Sequence, residues 1–416
     1  MRKASLIKVG VAGAVTLALG AGLALPANAD PQAQPNDAVI VGSDTVQFLG
    51  DFLADGQSAI AGTTGLTAAS AFNSTNKFRM YNYDATVDAK GRTATVAGTG
   101  TKFAVVLRAG AAPVHLPNGS GDGYNNFYQD TGNQIDFVRG SRLPNAGDIT
   151  NIHSVSKSYH SWRIASDGMQ IAVANPATNA PAAGLTKAQL TAIYQASPSI
   201  TSWHDIDPSL STDLIVPMLP QDGSGTHDDF LTDILGSKTT PANSHLVRTE
   251  EHDPSPLTNA GFASKILASG GVDLHTTDAS GLEQFSWQGG TVTAADAISP
   301  FSLGRYNLIQ TGYFDVGNAY GTGTGDPAWK NAIQLLPDTG YFFQRYFYLT
   351  ALQSAFQSSS GWQPGSSINK VNTILNWYKK ATNASAFADA GVSFNLPASA
   401  GGGAAFKDCG QDVTSC

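Results

Sequence analysis

Three short segments rich in glycine and hydroxyl side chains lie far apart in the sequence. They are "SDT" at 43–45, "NGSGDG" at 118–123 and "DGSGT" at 222–226. The first N–H groups of a helix are unpaired and carry the positive end of the helix dipole, so such a segment before a helix can bind an anion. Glycines allow a ligand to approach the backbone closely, and serine and threonine hydroxyls add further donors. The chemistry that these segments predict is noncovalent binding of a small anion.

Each segment lies between a strand-like run and a helix-like run. The preceding apolar runs are "DAVIVG" (37–42), "FAVVLRAG" (103–110) and "DLIVPML" (213–219). The helix-like run after the third segment has Gly236 as a predicted C-cap. In open α/β sheets, such junctions lie at the carboxyl edge of the strands, where ligands bind. A single glycine and serine turn is usually an ordinary connection, but three of them favour a shared site.

The remaining periodicity predicts an α/β fold. "IDFV" (135–138) and "MQIAVA" (169–174) are typical of buried strands, and "SSINKVNTILNWYKKA" (366–381) is typical of an amphipathic helix. A second helix is predicted after Thr186, which lies at capping-box spacing from Gln189. Strand-like and helix-like runs alternate along the chain, which favours α/β architecture over a sandwich or a helical bundle.

The first 29 residues have the layout of a cleavable secretory signal, with basic residues, an apolar stretch and small residues at the predicted cleavage site. The 416-residue chain has a net charge of −8, and removal of Arg2, Lys3 and Lys8 with the signal changes it to −11. This charge argues against nucleic acid or anionic lipid as partners. No cysteine lies where it could be lipidated, and Cys409 and Cys416 could close a small loop in an oxidising compartment.

Catalytic and metal-binding patterns are weak by comparison. "DGSGT" does not fit the Gly-x-Ser-x-Gly pattern of a hydrolase nucleophile. His227, Asp228 and Asp229 are adjacent, and adjacent residues of a helix point in different directions and cannot converge on a metal ion. We therefore predict no catalytic residue, no metal and no cofactor.

Longer segments resemble those of a known family. "QDGSGTHDDF", "LTKAQLTAIYQASPSITSWHDIDP", "IDFVRGSRLP", "AISPFSLGRY" and the closing "NTILNWYKKATNASAFADAGVSFNLP" are similar to segments of the phosphate-specific periplasmic binding proteins of ABC transporters, the PstS family. These segments occur in the family's order and extend from about residue 38 to about residue 398.

The resemblance implies a two-lobed type II periplasmic-binding-protein fold. Each lobe would be a mixed sheet flanked by helices, with a two-crossing hinge between the lobes. The implied limits are a signal peptide at 1–29, lobe one at 30–165 and again at 301–400, lobe two at 166–300, and a glycine-rich linker with a cysteine-containing tail at 401–416.

The resemblance also implies a set of ligand-binding residues: Ser43, Asp44, Thr45, Gly119, Ser120, Ser141, Arg142, Ser224, Gly225 and Thr226. Two departures affect the charged part of the site. The family's arginine falls on Pro220, and its ligand carboxylate falls on Ser141. Arg139 or Arg142 could replace that arginine, and Asp44 or Asp136 could supply the carboxylate that accepts a proton from monohydrogen phosphate.

The sequence as a whole predicts a secreted, monomeric solute-binding protein that is not an enzyme. It would capture inorganic phosphate, or a related tetrahedral oxyanion, between two lobes and deliver it to the membrane subunits of an ABC permease. Cell-wall association is compatible with this localisation. Two alternatives stay open: a secreted phosphatase-like hydrolase that uses the same anion-binding segments, and a wall or surface interaction protein that retains the fold.

Overall fold

The computed structural model describes residues 33–57, 65–85, 104–241, 245–251, 253–315, 329–357 and 369–416. The predicted signal segment at 1–29 lies outside these ranges. The strands are β1 (Ala38–Gly42), β2 (Met80–Asn82), β3 (Ala104–Val105), β4 (Val114–His115), β5 (Phe137–Gly140), β6 (Tyr159–Ala174), β7 (Val216–Pro220), β8 (Val247–Thr249), β9 (Val272–Thr277), β10 (Glu283–Trp287), β11 (Gly290–Val292), β12 (Ala297–Ser302), β13 (Ile333–Leu335), β14 (Phe343–Leu352) and β15 (Lys407–Gln411). The helices are α1 (Gln47–Asp55), α2 (Phe72–Thr75), α3 (Ser120–Gln129), α4 (Ala146–Ser154), α5 (Lys187–Tyr194), α6 (Gly225–Leu235), α7 (Asn259–Ala268), α8 (Leu303–Gln310), α9 (Gln353–Gln357), α10 (Lys370–Tyr378) and α11 (Ala384–Asp389).

One mixed sheet of ten strands organises the chain. Its main path runs β2-β1-β5-β14-β6-β12-β7-β8, and β13 and β15 also pair with β6. The β1–β5 and β7–β8 pairs at the two ends are parallel, whereas β6 pairs antiparallel with β14 and β12 in the middle. The two ends of the sheet, with the helices packed on them, form two lobes.

The long strand β6 connects the lobes. Its first part pairs with β14 and β15, and its last part, Met169–Ala174, pairs with β12 and β13. Antiparallel β14 also runs along most of β6, so two long strands pass between the lobes. β13 joins the lobe-two part of β6, although the range 301–400 is predicted for lobe one. The predicted lobe limits stay a prediction.

The two faces of the sheet are covered differently. Side chains alternate between faces along a strand. On β1, Ala38 and Ile40 belong to a large apolar cluster that includes residues from both lobes. Val39 belongs to a cluster confined to lobe one, whereas Met169 and Ile171 belong to one confined to lobe two. One face is therefore a continuous core, and the other is divided where the lobes meet.

Several sequence-predicted elements are observed. α5 begins at the predicted capping box, in which the Thr186 hydroxyl accepts from the Gln189 N–H. α6 ends at Gly236, which has left-handed backbone geometry at φ 70°. The strand expected at 103–110 is reduced to β3, and Arg108 forms an isolated bridge with Ala33 instead of continuing it.

The tail beyond the predicted linker is part of the main sheet. β15 pairs antiparallel with β6, and Cys409 and Cys416 form a disulfide. The Asp412 carboxylate accepts from the Tyr159 N–H at 2.9 Å, and the Tyr159 hydroxyl donates to the Val413 carbonyl. The predicted closed loop is therefore fixed to the lobe-one part of β6. Across the described ranges, no helix combines the length and apolar character that crossing a membrane requires.

Candidate functional site

The starts of helices α3 and α6 touch each other across the two lobes. Gly119, the N-cap of α3, has φ 121°, and a methyl group on it would lie 2.4 Å from the Gly223 carbonyl oxygen. The Gly121 N–H donates to that same oxygen at 3.0 Å. Only glycine allows this backbone conformation and this approach. Two glycine turns that are distant in the sequence thus form one junction.

Two serine hydroxyls lie against the first residue of α6. Ser120 Oγ and Ser141 Oγ are 3.2 Å apart, and the Ser141 N–H donates to Ser120 Oγ at 3.0 Å. A methyl group on Gly225 would lie 2.0 Å from Ser141 Oγ and 2.7 Å from Ser120 Oγ. Both hydroxyls therefore face the positive end of the α6 dipole at close range.

Two threonine hydroxyls from different lobes converge on one carboxylate oxygen. Thr45 Oγ1 donates to Glu251 Oε1 at 2.8 Å, and Thr226 Oγ1 donates to the same atom at 3.1 Å. Glu251 and Thr226 are fully buried, and Thr45 is nearly so. The hydroxyls that the sequence assigned to an anion thus hold an anionic group that belongs to the chain itself.

Two further predicted serines are fully buried beside these groups. Ser224 is the N-cap of α6, and its Oγ accepts from the His227 N–H at 3.2 Å. The Ser43 N–H donates to the Arg139 carbonyl at 2.9 Å, and Arg139 Nε donates back to the Ser43 carbonyl. Ser43 Oγ has no hydrogen-bond partner among the described residues. This hydroxyl is therefore able to donate to a bound anion.

We refer to the hydroxyls of Ser43, Thr45, Ser120, Ser141, Ser224 and Thr226, together with the starts of α3 and α6, as the cradle. A methyl group on Gly123 of α3 would lie 2.9 Å from Gly42 Cα, so the first and second junctions touch within lobe one. Gly119 of the second junction contacts Gly223 of the third, which lies in lobe two. All three sequence-predicted junctions therefore meet in one place.

Arg345 supplies positive charge to the cradle. Its Nη1 donates to Thr226 Oγ1 at 2.7 Å, and its Nε contacts Asp167 Oδ2 at 2.8 Å. Asp167 also accepts from the Ser302 hydroxyl and the Gly304 N–H, which fixes the carboxylate and therefore the guanidinium. Within the part of the chain that the structure describes, Arg345 Nη2 is buried without a hydrogen-bond partner. Such a donor is suited to an oxyanion.

Arg142, the arginine that spacing favoured, is paired within the protein. Its Nη1 contacts Asp148 Oδ2 at 2.6 Å and its Nε contacts Asp228 Oδ2 at 3.1 Å. Asp148 lies in α4 and Asp228 in α6, so these three residues, here called the ion-pair bridge, connect the lobes. Burial alone would lower the pKa of Arg142. The negative charges of Asp148 and Asp228 outweigh the effect of burial, so the pKa of Arg142 is raised. The ion-pair bridge thus neutralises the charge that the sequence assigned to the ligand.

The other candidate charges are also engaged elsewhere. Asp44 is ion-paired with Arg305, whose guanidinium stacks on the rings of Phe48 and Phe314. Asp136 contacts Lys370 at 3.1 Å and also pairs with Arg108. Arg139 donates to backbone carbonyls of lobe one and to Asn82. These groups stabilise lobe one.

A cavity of about 810 Å³ opens beside the cradle and is lined by Ser141, Asp229 and Arg345, among others. Burial raises the pKa of Asp229 to about 7, against the opposing effects of Arg345 and Arg142. This cavity gives solvent access to the residues next to Thr226. In the described ranges, no cluster of three or more histidine, cysteine or acidic side chains could hold a metal ion.

Sequence reasoning missed Arg345 and Glu251. Arg345 lies in the apolar run "FFQRYFYLTAL". A charged residue inside a buried strand needs a partner, so its position in this run is a signal that could have identified Arg345. Glu251 lies in "RTEEHDP", whose charges are typical of an exposed loop, so no local pattern marks its burial.

Solved structures with a similar fold are described as phosphate-binding proteins, at low sequence identity. A putative phosphate ABC transporter substrate-binding protein with bound phosphate from Clostridium perfringens is 14% identical, with a TM-score of 0.46, over 86% of this chain and 99% of that chain. An ABC-type phosphate transport receptor from Vibrio cholerae is 15% identical, with a TM-score of 0.41, over 87% and 100%. PstS from Borrelia burgdorferi is 12% identical, with a TM-score of 0.36, over 86% and 98%. No curated protein sequence matches the chain.

The family model for the PBP superfamily domain matches residues 53–335, which is more than half of the 416-residue chain. The α/β architecture observed here, with two lobes on one mixed sheet, agrees with that match. The predicted two-lobed type II periplasmic-binding-protein fold is thus confirmed, and the chain belongs to the PBP superfamily.

Proposed function

We propose that this protein is a secreted solute-binding protein that captures inorganic phosphate, or a related tetrahedral oxyanion, and delivers it to an ABC permease. One observation carries the proposal: Thr45 and Thr226, from different lobes, donate to a single buried carboxylate oxygen while Arg345 contacts Thr226. A phosphate oxygen has the same hydrogen-bonding character as that carboxylate oxygen. The ordered resemblance to the phosphate-specific family supports the same ligand class, and superfamily membership supports a solute-binding role.

The cradle is suited to an acidic protein that binds an anion. Hydroxyls, helix starts and one fixed guanidinium act at short range in a shielded cleft, whereas the net charge of −8 acts mainly at long range and is screened by salt. Domain closure would bring the lobe-one and lobe-two hydroxyls onto the same ligand. We propose a monomer, and the protein would perform no covalent chemistry on its ligand.

Isothermal titration of the purified protein with phosphate, arsenate, sulfate and molybdate tests this function. We expect phosphate and arsenate to bind alike, because their size and protonation are similar, and to bind more tightly than sulfate. Phosphate and arsenate carry a proton near neutral pH, and a site with buried acceptors favours a protonated anion. If none of the four anions binds, the interaction-protein alternative gains support and the transport proposal fails.

One contact set favours a second candidate, a hydrolase. His227 Nε2 lies 2.9 Å from Thr240 Oγ1, and His227 Nδ1 lies 3.1 Å from Asp228 Oδ1. Hydroxyl, imidazole and carboxylate in this order form the arrangement of an activated nucleophile. Against it, Asp228 is already neutralised by Arg142, and Thr240 accepts from Arg248. Turnover of para-nitrophenyl acetate or phosphate that is lost in His227→Gln would favour the hydrolase.

A further inference from the structure

Glu251 contacts cradle hydroxyls from both lobes. Its Oε1 accepts from Thr45 and Thr226, and its side chain is fully buried. Glu251 follows β8 in lobe two, whereas Thr45 lies in the short 3-10 helix Asp44–Val46 of lobe one. This carboxylate therefore links the lobes by the contacts expected of a bound oxyanion.

The surrounding geometry is that of a closed cleft. Gly225 lies against the hydroxyls of Ser120 and Ser141, and Gly119 lies against the Gly223 carbonyl. The neighbouring Glu250 reinforces the closure, because its Oε2 accepts from Asn118 Nδ2 at 3.1 Å across the lobes. Within this closed cleft, the Glu251 carboxylate uses two hydroxyls, one from each lobe, that an oxyanion would otherwise use.

We propose that Glu251 is an internal substitute for the ligand, which an incoming oxyanion must displace from Thr45 and Thr226. The proposal rests on the proposed function and adds a residue that sets its affinity. Two negative groups on the same hydroxyls would repel each other strongly in a shielded site. The oxyanion and the Glu251 carboxylate therefore exclude each other, and the segment that carries Glu251 moves out when ligand enters.

This exchange sets a threshold for capture. Part of the binding energy of the oxyanion is used to release Glu251, so the observed affinity is lower than that of the empty cradle. A dianion gains more than a monoanion from Arg345 and the helix starts, so it displaces Glu251 more readily. The release of Glu251 costs the same for either anion, so it lowers both affinities alike, and the preference for the doubly charged anion comes from Arg345 and the helix starts.

The test compares Glu251→Gln and Glu251→Ala with the wild type by calorimetric titration with inorganic phosphate at pH 8. Loss of the competing charge should tighten phosphate binding at least tenfold in both variants. Glu250→Gln is the matched control, because it removes the adjacent carboxylate charge but keeps an oxygen that can accept from Asn118, so the closure contact is retained. The phosphate affinity of this variant should stay within threefold of the wild type. Thermal unfolding of each variant verifies that it is folded.

Hydrogen exchange gives a second readout that does not depend on the variants. Phosphate should increase exchange of the amides in 250–251 and 253–257 in the wild type, because Glu251 loses its contacts with Thr45 and Thr226, while exchange at the starts of α3 and α6 decreases. Decreased exchange in 250–251 and 253–257 would overturn the proposal.

The outcomes separate the two proposals. If the wild type binds phosphate and Glu251→Gln binds it equally or more weakly, displacement is wrong and the transport function stands. If Glu251→Gln loses phosphate but keeps sulfate, Glu251 is instead a proton acceptor for bound phosphate, and displacement is again wrong. If neither the wild type nor either Glu251 variant binds any oxyanion, both proposals fail.

Discussion

The cradle and the ion-pair bridge lie side by side between the lobes, yet they differ in how their charges are satisfied. In the ion-pair bridge, Arg142 lies between Asp148 and Asp228 and is balanced within the protein. In the cradle, Arg345 contacts Asp167 and Thr226 and keeps Nη2 without a hydrogen-bond partner among the described residues. The comparison teaches that burial and charge alone do not identify a ligand-binding arginine. What marks Arg345 is an unpaired Nη2 together with a contact to a cradle hydroxyl, since Arg142 Nε and two nitrogens of Arg305 also lack a hydrogen-bond partner among the described residues.

Arg345→Met should have the largest effect on oxyanion affinity. The variant removes a fixed, buried cation, and hydrogen bonds to charged groups contribute about 1.5–3 kcal/mol, or roughly 10- to 150-fold in affinity. Phosphate calorimetry measures the loss. Arg163→Met is the matched control, because Arg163 is also buried in the central strands but donates to the Ala405 carbonyl. Equal losses in both variants would show that Arg345 acts on the fold.

Ser224→Ala should weaken phosphate binding by about 1–2 kcal/mol, the scale for one buried hydrogen bond. The Ser224 hydroxyl accepts from the His227 N–H, so its own proton is available to a ligand. Thr258→Ala removes an equivalent N-cap from α7, away from the cradle. The free energy of unfolding, measured in urea, should fall by a similar amount in both variants. Wild-type phosphate affinity in Ser224→Ala would exclude Ser224 from the site.

Arg142→Met should lower the free energy of unfolding by about 3–5 kcal/mol, since it leaves buried carboxylates unpaired. Adding Asp228→Asn removes one of those charges and should recover most of the stability. The phosphate affinity of the double variant should lie within roughly threefold of that of the wild type. A buried ion pair and a neutral pair of similar shape often give nearly equal stability, so the lobes should keep their arrangement. Urea unfolding and calorimetry on both variants measure this. A large affinity loss in the double variant would place Arg142 in the site.

The same contrast explains which parts were predictable from sequence. β1, the capping box at Thr186 and the C-cap at Gly236 follow from local patterns of apolar, hydroxyl and glycine residues. β6 is much longer than its predicted part at 169–174. Arg163 and Asp167 resemble loop residues in the sequence, and their partners, Ala405 just before β15 and Arg345 in β14, come from distant segments.

The charged part of the site was not predictable for a related reason. The local sequence showed which hydroxyls follow strands, and these do meet in the cradle. It could not show that Arg142 would pair with Asp148 and Asp228, since Asp228 comes from the other lobe. Arg345 and Glu251 reach the cradle only through strand pairing and loop packing between distant segments.

Asp229 offers a test that leaves the cradle hydroxyls intact. Burial raises the pKa of its carboxyl to about 7 in the folded protein, above the ordinary value near 4. Between these values the folded chain binds the proton more strongly than the unfolded chain, so the contribution of Asp229 to stability falls as the pH rises from about 4 to about 7. Asp229→Asn should therefore be the more stable protein at pH 8, with no advantage at pH 4. Urea unfolding across this range measures the difference, and a constant difference would refute the raised pKa.

The disulfide-closed tail should have the smallest effect on affinity. Cys409→Ser with Cys416→Ser opens a short loop and should cost about 2–3 kcal/mol of unfolding free energy, the scale for a small disulfide loop. β15 would still pair with β6, so phosphate affinity should stay within twofold. Urea unfolding measures the stability of the double variant, and calorimetry measures its phosphate affinity. Both are compared with the wild type with and without reductant.

Thr414 and Ser415 line the same cavity as Arg345. A substantial change in affinity on reduction would therefore mean that the tail controls access to the cradle, which would join the two regions functionally.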